Sequence, residues 1–103
     1  MKTALFFEND KLCHLDESVR KKEIRVSMIT TEEDKVVSIK NNEMKIRNLN
    51  QVVSWLLDCG IKMIYVSGID EKIRRFFEQV KIIVNVKEKS DQNLLLAEIT
   101  SRD

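Results

Sequence analysis

Hydrophobic residues change their spacing about half-way along the chain, and the first half has the pattern of strands. A short apolar run at residues 2–7 predicts a buried strand followed by a polar turn, and a second extended piece is expected near Leu12. Residues 24–29 alternate between two faces, and a β-branched run at 36–40 follows a polar cluster. These two runs predict an antiparallel hairpin, and its tip lacks glycine, which favours a loop longer than two residues. The two faces of the first hairpin strand carry Ile24, Val26 and Met28 on one side, and Arg25, Ser27 and Ile29 on the other.

The second half begins with helical spacing over residues 48–59. Asn48 is a suitable N-cap, and Gly60 can supply the left-handed residue that ends the helix. Trp55 falls outside the apolar stripe, which makes it a candidate for an interface with a partner. The predicted stripe consists of Leu49, Val52, Val53, Leu56 and Leu57.

Strands and helices alternate through the rest of the chain. Residues 62–67 predict an apolar strand that ends at Gly68, and Asp70 is placed to cap a helix over residues 70–80. Another strand is expected at 81–86. Ser90 or Asp91 then opens a last helix, whose apolar positions are Leu94, Leu95 and Ile99.

This order of elements predicts an α/β fold. Strands joined through helices by short connections form parallel βαβ units, which are right-handed, while the hairpin adds antiparallel pairs. We therefore expect a mixed five-stranded sheet with helices on its faces, in a ribonuclease-H-like three-layer α/β/α architecture. The length of 103 residues gives room for one domain, spanning 1–103.

Composition narrows the classes of function. Eighteen basic residues nearly balance seventeen acidic ones, so no broad positive field predicts nucleic-acid binding. No apolar run approaches the roughly 18 residues of a membrane span. A run of only four apolar residues, Ala4 to Phe7, precedes Glu8, which is not the pattern of a signal peptide, so a cytoplasmic location with reduced thiols is expected.

Cys13 and His14 are the adjacent pair of candidate ligands. Imidazole and thiolate suit iron, zinc and iron–sulfur clusters, but neighbours on an extended segment point to opposite faces. His14 is therefore the candidate metal ligand, with Cys13 turned inward or rotated to assist. Cys59 lies at a helix C-terminus, where the helix dipole disfavours a thiolate, and a structural role is expected, although a pair with His14 stays open.

Carboxylates and basic clusters do not indicate nuclease or phosphate-binding chemistry. A two-metal nuclease requires several acids on the central strands, and the first strand has none within it. Helix capping accounts for Asp70 and turn formation for Asp10. The clusters at residues 20–22 and 74–75 have acidic neighbours or lie on a polar helix face, which indicates solvated surface.

Two segments resemble the dinitrogenase iron–molybdenum cofactor biosynthesis family of small cofactor carriers. Residues 56–69, LLDCGIKMIYVSGI, carry most of the likeness, and residues 10–15, DKLCHL, resemble the strand-turn that ends in His-Phe-Gly. The resemblance implies a non-enzymatic carrier or scaffold that binds an iron–sulfur or iron–molybdenum-type cluster through His14 and Cys13.

The chain departs from the family pattern at two places. Leu15, Asp16 and Glu17 stand where members usually place glycine, and residues 40–47 replace a Gly/His-rich loop. These departures leave an alternative open, in which the domain keeps the fold, has lost the cofactor and acts as a protein-interaction module. In either case a protein partner or a second copy of the chain is expected.

Overall fold

The computed structural model describes most of the chain, and its elements follow the predicted order. The predicted last helix, opened by Ser90 or Asp91, lies outside the described residues. Those residues are 1–9, 11–16, 23–33 and 35–87. No helix among them is long and apolar enough to cross a membrane.

Eight strands and two helices make up this part of the chain. The strands are β1 (Lys2–Glu8), β2 (Lys11–Leu12), β3 (His14–Leu15), β4 (Glu23–Glu32), β5 (Lys35–Lys45), β6 (Met63–Val66), β7 (Gly68–Ile69) and β8 (Ile83–Val86). The helices are α1 (Leu49–Asp58) and α2 (Glu71–Gln79).

The main sheet is mixed, and its continuous path has the order β5-β4-β1-β6-β8. β4 is antiparallel to both of its neighbours, whereas β6 is parallel to β1 and to β8. The short strand β2 pairs with the end of β1 and brings the sheet to six strands. The predicted α/β class, the hairpin and the parallel βαβ unit are therefore confirmed.

The hairpin differs from its prediction at both ends. Its turn is tight, because Glu32 pairs with Lys35 and only two residues lie between them. Glu33 makes this possible by adopting a left-handed conformation, with φ 51°, which a non-glycine residue rarely takes. At the other end, β5 continues as far as Lys45, because β4 offers it a partner down to Glu23.

Both helices begin at the predicted caps. The Asn48 side chain accepts a hydrogen bond from the Asn50 N–H at 2.8 Å, and Asp70 accepts one from the Lys72 N–H at 3.1 Å. Such bonds satisfy N–H groups that have no partner within the helix. Gly60 ends α1 with φ 77°, the left-handed conformation expected of a C-terminal glycine.

Apolar side chains fill both faces of the sheet, and both helices pack on the same face. The helix-side cluster joins Phe6 and Ile64 of the sheet to Leu56 of α1 and Phe77 of α2. The second-face cluster contains Leu5, Phe7, Leu12, Ile29, Met63 and Tyr65, and no residue of α1 or α2. The hydrophobic alternation predicted for β4 is confirmed, since Val26 belongs to the first cluster and Ile29 to the second.

The predicted stripe of α1 is correct except at its edge. Val52, Val53 and Leu56 are buried, but Leu57 is 45% exposed. At 100° per residue, Leu57 lies about 90° from the centre of the stripe, where a side chain meets solvent. Trp55 lies a similar angle away on the other side and is half-buried against the helix-side cluster.

Candidate functional site

The candidate site lies beyond the C-terminal ends of the central strands β1 and β6. These two strands are parallel neighbours, so their C-terminal ends lie side by side at the same end of the sheet. The connection after β1 leads to β4 on one side, and the connection after β6 leads through α2 to β8 on the other. In open α/β sheets, ligands bind in the crevice beyond the C-terminal strand ends where the connections diverge in this way.

The two connections are joined to each other by a pair of short strands, one in each connection. β3 pairs in parallel with β7, so that His14 lies opposite Gly68 and Leu15 opposite Ile69. The Ser67 N–H donates to the Cys13 carbonyl at 2.8 Å, and the Asp70 N–H donates to the Leu15 carbonyl at 2.8 Å. The backbone around His14 is therefore fixed to the segment that leads into α2.

The imidazole of His14 lies against the backbone of Gly68. A Cβ atom added at Gly68 would be 2.1 Å from His14 Nδ1 and 2.7 Å from Cε1, so the ring would have to move to make room for it. The φ angle of Gly68 is not in the left-handed region, so the close approach of the His14 ring, and not backbone conformation, favours glycine here. The absence of a side chain at residue 68 thus gives the ring its place.

Asp16 faces the other nitrogen of the same ring. Its Oδ2 atom lies 3.8 Å from His14 Nε2, and the two side chains are 41% and 55% exposed. Two ligands that each bind one ion at about 2.0–2.1 Å can stand up to roughly 4.2 Å apart, so this separation allows both to bind the same ion. Part of the His14 ring faces solvent, where a bound group could approach it.

Cys13 points away from this surface. Its side chain is 2% exposed and belongs to the helix-side cluster. Because adjacent residues of an extended segment point in opposite directions, the exposed His14 and the buried Cys13 are placed as expected. Of the two arrangements open from the sequence, the structure has Cys13 turned inward, and its thiol does not reach the exposed side of the ring.

Cys59 lies at the opposite end of the strands from His14. The pair of Cys59 with His14 that the sequence left open is therefore wrong. Cys59 is the C-cap of α1 and lines a cavity of about 160 Å³ with Lys2 and Ile61, next to the start of β1. His14 follows the end of β1. Cys13 and Cys59 are both free thiols.

Asp70, Arg74 and Arg75 agree with the structural interpretations made from the sequence. Asp70 caps α2, and in the described ranges no three His, Cys, Asp or Glu side chains are grouped to hold a metal ion. Arg74 and Arg75 each lie near a glutamate one turn away, at 3.3 Å and 3.6 Å. Asp10 and the basic cluster at residues 20–22 lie outside the part of the chain that the structure describes.

Sequence reasoning missed the roles of Gly68 and Asp16 at this site. The sequence pattern marks Gly68 only as the residue after a strand, and Asp16 only as a departure from the glycine of the family pattern. The roles of Gly68 and Asp16 could have been found from the topology. Two connections that follow neighbouring parallel strands begin at the same end of the sheet and must lie close together there. That rule, applied to residues 9–16 and 67–70, brings His14 and Gly68 together.

Comparisons with known proteins address the fold alone. Neither a protein-family model nor a curated protein sequence matches this chain. Among solved structures, the crystal structure of PH0822 is similar, with a TM-score of 0.79 over 99% of this chain and 91% of that chain. The sequences are 18% identical, so the similarity shows a shared mixed α/β fold and carries no information on function.

Proposed function

We propose that this chain is a non-enzymatic carrier or scaffold domain that holds a metal-containing cargo of the iron–sulfur or iron–molybdenum type at His14. One observation carries the proposal: the imidazole lies against Gly68, next to the C-terminal ends of the neighbouring strands β1 and β6. This is the position at which α/β sheets bind ligands, and the backbone that carries the ring is already held by the pairing of β3 with β7.

His14 Nε2 is the nitrogen that we assign to the cargo. The Nδ1 edge of the ring is against Gly68, whereas Nε2 is turned towards Asp16. Asp16 supplies a second oxygen ligand or orients the imidazole through a hydrogen bond, as carboxylates do beside metal-bound histidines. Further ligands would come from the cargo itself, from solvent or from a partner.

Of the two candidate ligands, Cys13 is less well placed than His14 to contact the cargo. Its thiol is packed within the helix-side cluster, and reaching the cargo would require the segment around β3 to rotate. In the proposed site Cys13 therefore anchors this segment in the core, and His14 makes the contact.

The proposed fold family is the ribonuclease-H-like three-layer architecture. In support, the sheet order β5-β4-β1-β6-β8 joins an antiparallel meander to two parallel strands, and both α1 and α2 lie on one face. The second-face cluster is buried, with Leu5 at 0% and Tyr65 at 1% exposure.

The second candidate is a protein-interaction module of the same fold, without cargo. Asp16 favours it, because a carboxylate 3.8 Å from His14 Nε2 would repel an anionic cluster. That repulsion is worth about 1 kcal/mol per close charge pair in a solvated site. A cytoplasmic location is proposed for either function, on the sequence pattern alone.

An anaerobic titration distinguishes the two candidates. The native chain and His14→Ala are titrated with a ferrous-sulfide cluster, and bound iron is measured by absorbance and by metal analysis after gel filtration. The same titration is carried out on a third protein, Asp16→Asn, in which the side chain at residue 16 keeps its shape but loses its charge. A carrier retains iron in the native chain and loses it in His14→Ala. Binding that is absent, or equal in both, leaves the interaction module as the function.

A further inference from the structure

Within the described residues, the edge strand β8 has backbone hydrogen-bonding groups that face away from the sheet. The N–H groups of Ile83 and Lys87 donate inward, to the carbonyls of Lys62 and Val66. Because N–H and C=O directions alternate along a strand, those of Val84 and Val86 point to the open edge. In the part of the chain that the structure describes, no strand pairs with this edge.

The same edge has exposed apolar side chains and a polar atom without a partner. Ile83 is 56% exposed and Val86 is 47% exposed, although both belong to a strand of the main sheet. Between them, Asn85 Nδ2 is buried and makes no hydrogen bond. A buried amide donor without an acceptor is unfavourable, so an acceptor supplied from outside would be stabilising.

We propose that β8 is a homodimer interface, where it pairs antiparallel with β8 of a second copy about a two-fold axis at Asn85. The dimer would then contain one sheet that continues through both chains. A two-fold axis demands that the surface be complementary to itself, and three features of this edge meet that demand.

The first feature is the register of the backbone. With Asn85 opposite itself, Val84 lies opposite Val86 of the second copy, and the reverse pair is equivalent. Both pairs consist of the residues whose N–H and C=O groups point outward, so four backbone hydrogen bonds form. Asn85 falls at a non-hydrogen-bonded position, where antiparallel partners have their Cα atoms about 4.5 Å apart.

The second feature is the fit of the side chains in that register. The two Asn85 amides stand opposite each other on one face, so Nδ2 of each can donate to Oδ1 of the other. The exposed Ile83 lies opposite the aliphatic stem of Lys87 of the second copy. The apolar and polar groups that the described part of the chain leaves uncovered are thus matched by one register.

The third feature is the charge pattern of α2, which packs beside β8. Arg74 and Glu78 line a groove of about 440 Å³ with Ile83 and Val84, so they lie on the side of the open edge. In the dimer the two α2 helices run antiparallel, and Arg74 of each faces Glu78 of the other. A positive and a negative residue one turn apart on such a helix are complementary to their own copy.

The other edge of the sheet is protected against pairing. β5 carries Lys35, Lys40 and Lys45, and its register to β4 shifts between Thr30 and Thr31. Lysines and bulges on an edge strand oppose the addition of another strand. Of the two edge strands in the described ranges, only β8 combines an unbroken register with apolar side chains.

Charge reversal on α2 tests the interface through rescue on mixing. Sedimentation equilibrium of the native chain should show a concentration-dependent species of twice the 12.1 kDa chain mass. Arg74→Glu and Glu78→Arg alone should each dissociate about tenfold more readily, because each places like charges opposite each other. An equimolar mixture of the two variants should restore the dimer, since positions 74 and 78 are then both acidic in one chain and both basic in the other.

A second variant pair tests which edge is used. Ile83→Lys places two lysines opposite each other in the proposed register and should weaken the dimer by about tenfold or more. Ile39→Lys makes the same change at an exposed position of β5 and should leave the dimer unchanged. A native chain that stays monomeric at all concentrations up to about 1 mM overturns the proposal. It is also overturned by a dimer that Ile39→Lys weakens and Ile83→Lys does not, or by charge-reversal variants that fail to associate on mixing.

Discussion

Replacing Leu56 with alanine tests the packing of α1 against the sheet, and the adjacent Leu57 gives a matched control. Leu56 is 0% exposed within the helix-side cluster, whereas Leu57 is 45% exposed on the same helix. Leu56→Ala removes the same atoms as Leu57→Ala and changes helix propensity equally. The difference between the two variants therefore measures burial alone.

The expected magnitudes are well separated. Leu56→Ala should lower the free energy of unfolding by about 2–5 kcal/mol, because it loses the transfer free energy of the side chain and leaves a cavity. Leu57→Ala should change it by about 0.5 kcal/mol, the usual range for a surface substitution. In urea unfolding followed by circular dichroism, the first variant should show a much lower midpoint at an unchanged slope. Equal losses in the two variants would mean that α1 presents a different face to the sheet.

Three further predictions concern other parts of the fold. Trp55→Ala should cost less than Leu56→Ala in the single chain, because the ring is half-buried; an equal or larger loss of unfolding free energy would place Trp55 in the core. Asp70→Ala should destabilise by about 1 kcal/mol by removing the N-cap of α2, whereas Asp70→Asn should retain most of that stability. Gly60→Ala should destabilise by roughly 1 kcal/mol, since its φ of 77° suits glycine, and an unchanged melting temperature would contradict this.

Much of the fold could be predicted because local signals agreed with one another. The period of the apolar residues, the caps at Asn48 and Asp70 and the glycine at residue 60 all indicate the same boundaries. Such agreement between levels marks a sequence that specifies one structure. The prediction of a longer hairpin loop was wrong because it relied on the local rule that tight turns need glycine. Here the long β4–β5 ladder holds Glu33, a non-glycine residue, in a left-handed conformation.

The candidate site was harder to predict because it depends on contacts between distant segments. No local pattern relates residue 14 to residue 68, and the pairing of β3 with β7 arises only once β1 and β6 are neighbours. The sequence identified His14 as a candidate from its chemistry. The place of its ring, and the proximity of Asp16, follow from the topology of the sheet.

The most direct test of the proposed carrier function is iron–sulfur cluster binding by Gly68→Ala. The added methyl group would stand 2.1 Å from His14 Nδ1, so the ring must leave its place while the imidazole itself is retained. Ser67→Ala, one residue away, removes a hydroxyl but keeps the backbone N–H that bonds to Cys13, and it serves as the control. In an anaerobic titration we predict that the native chain and Ser67→Ala bind the cluster, and that Gly68→Ala, folded by circular dichroism, loses it. Binding by Gly68→Ala equal to that of the native chain would contradict the proposal.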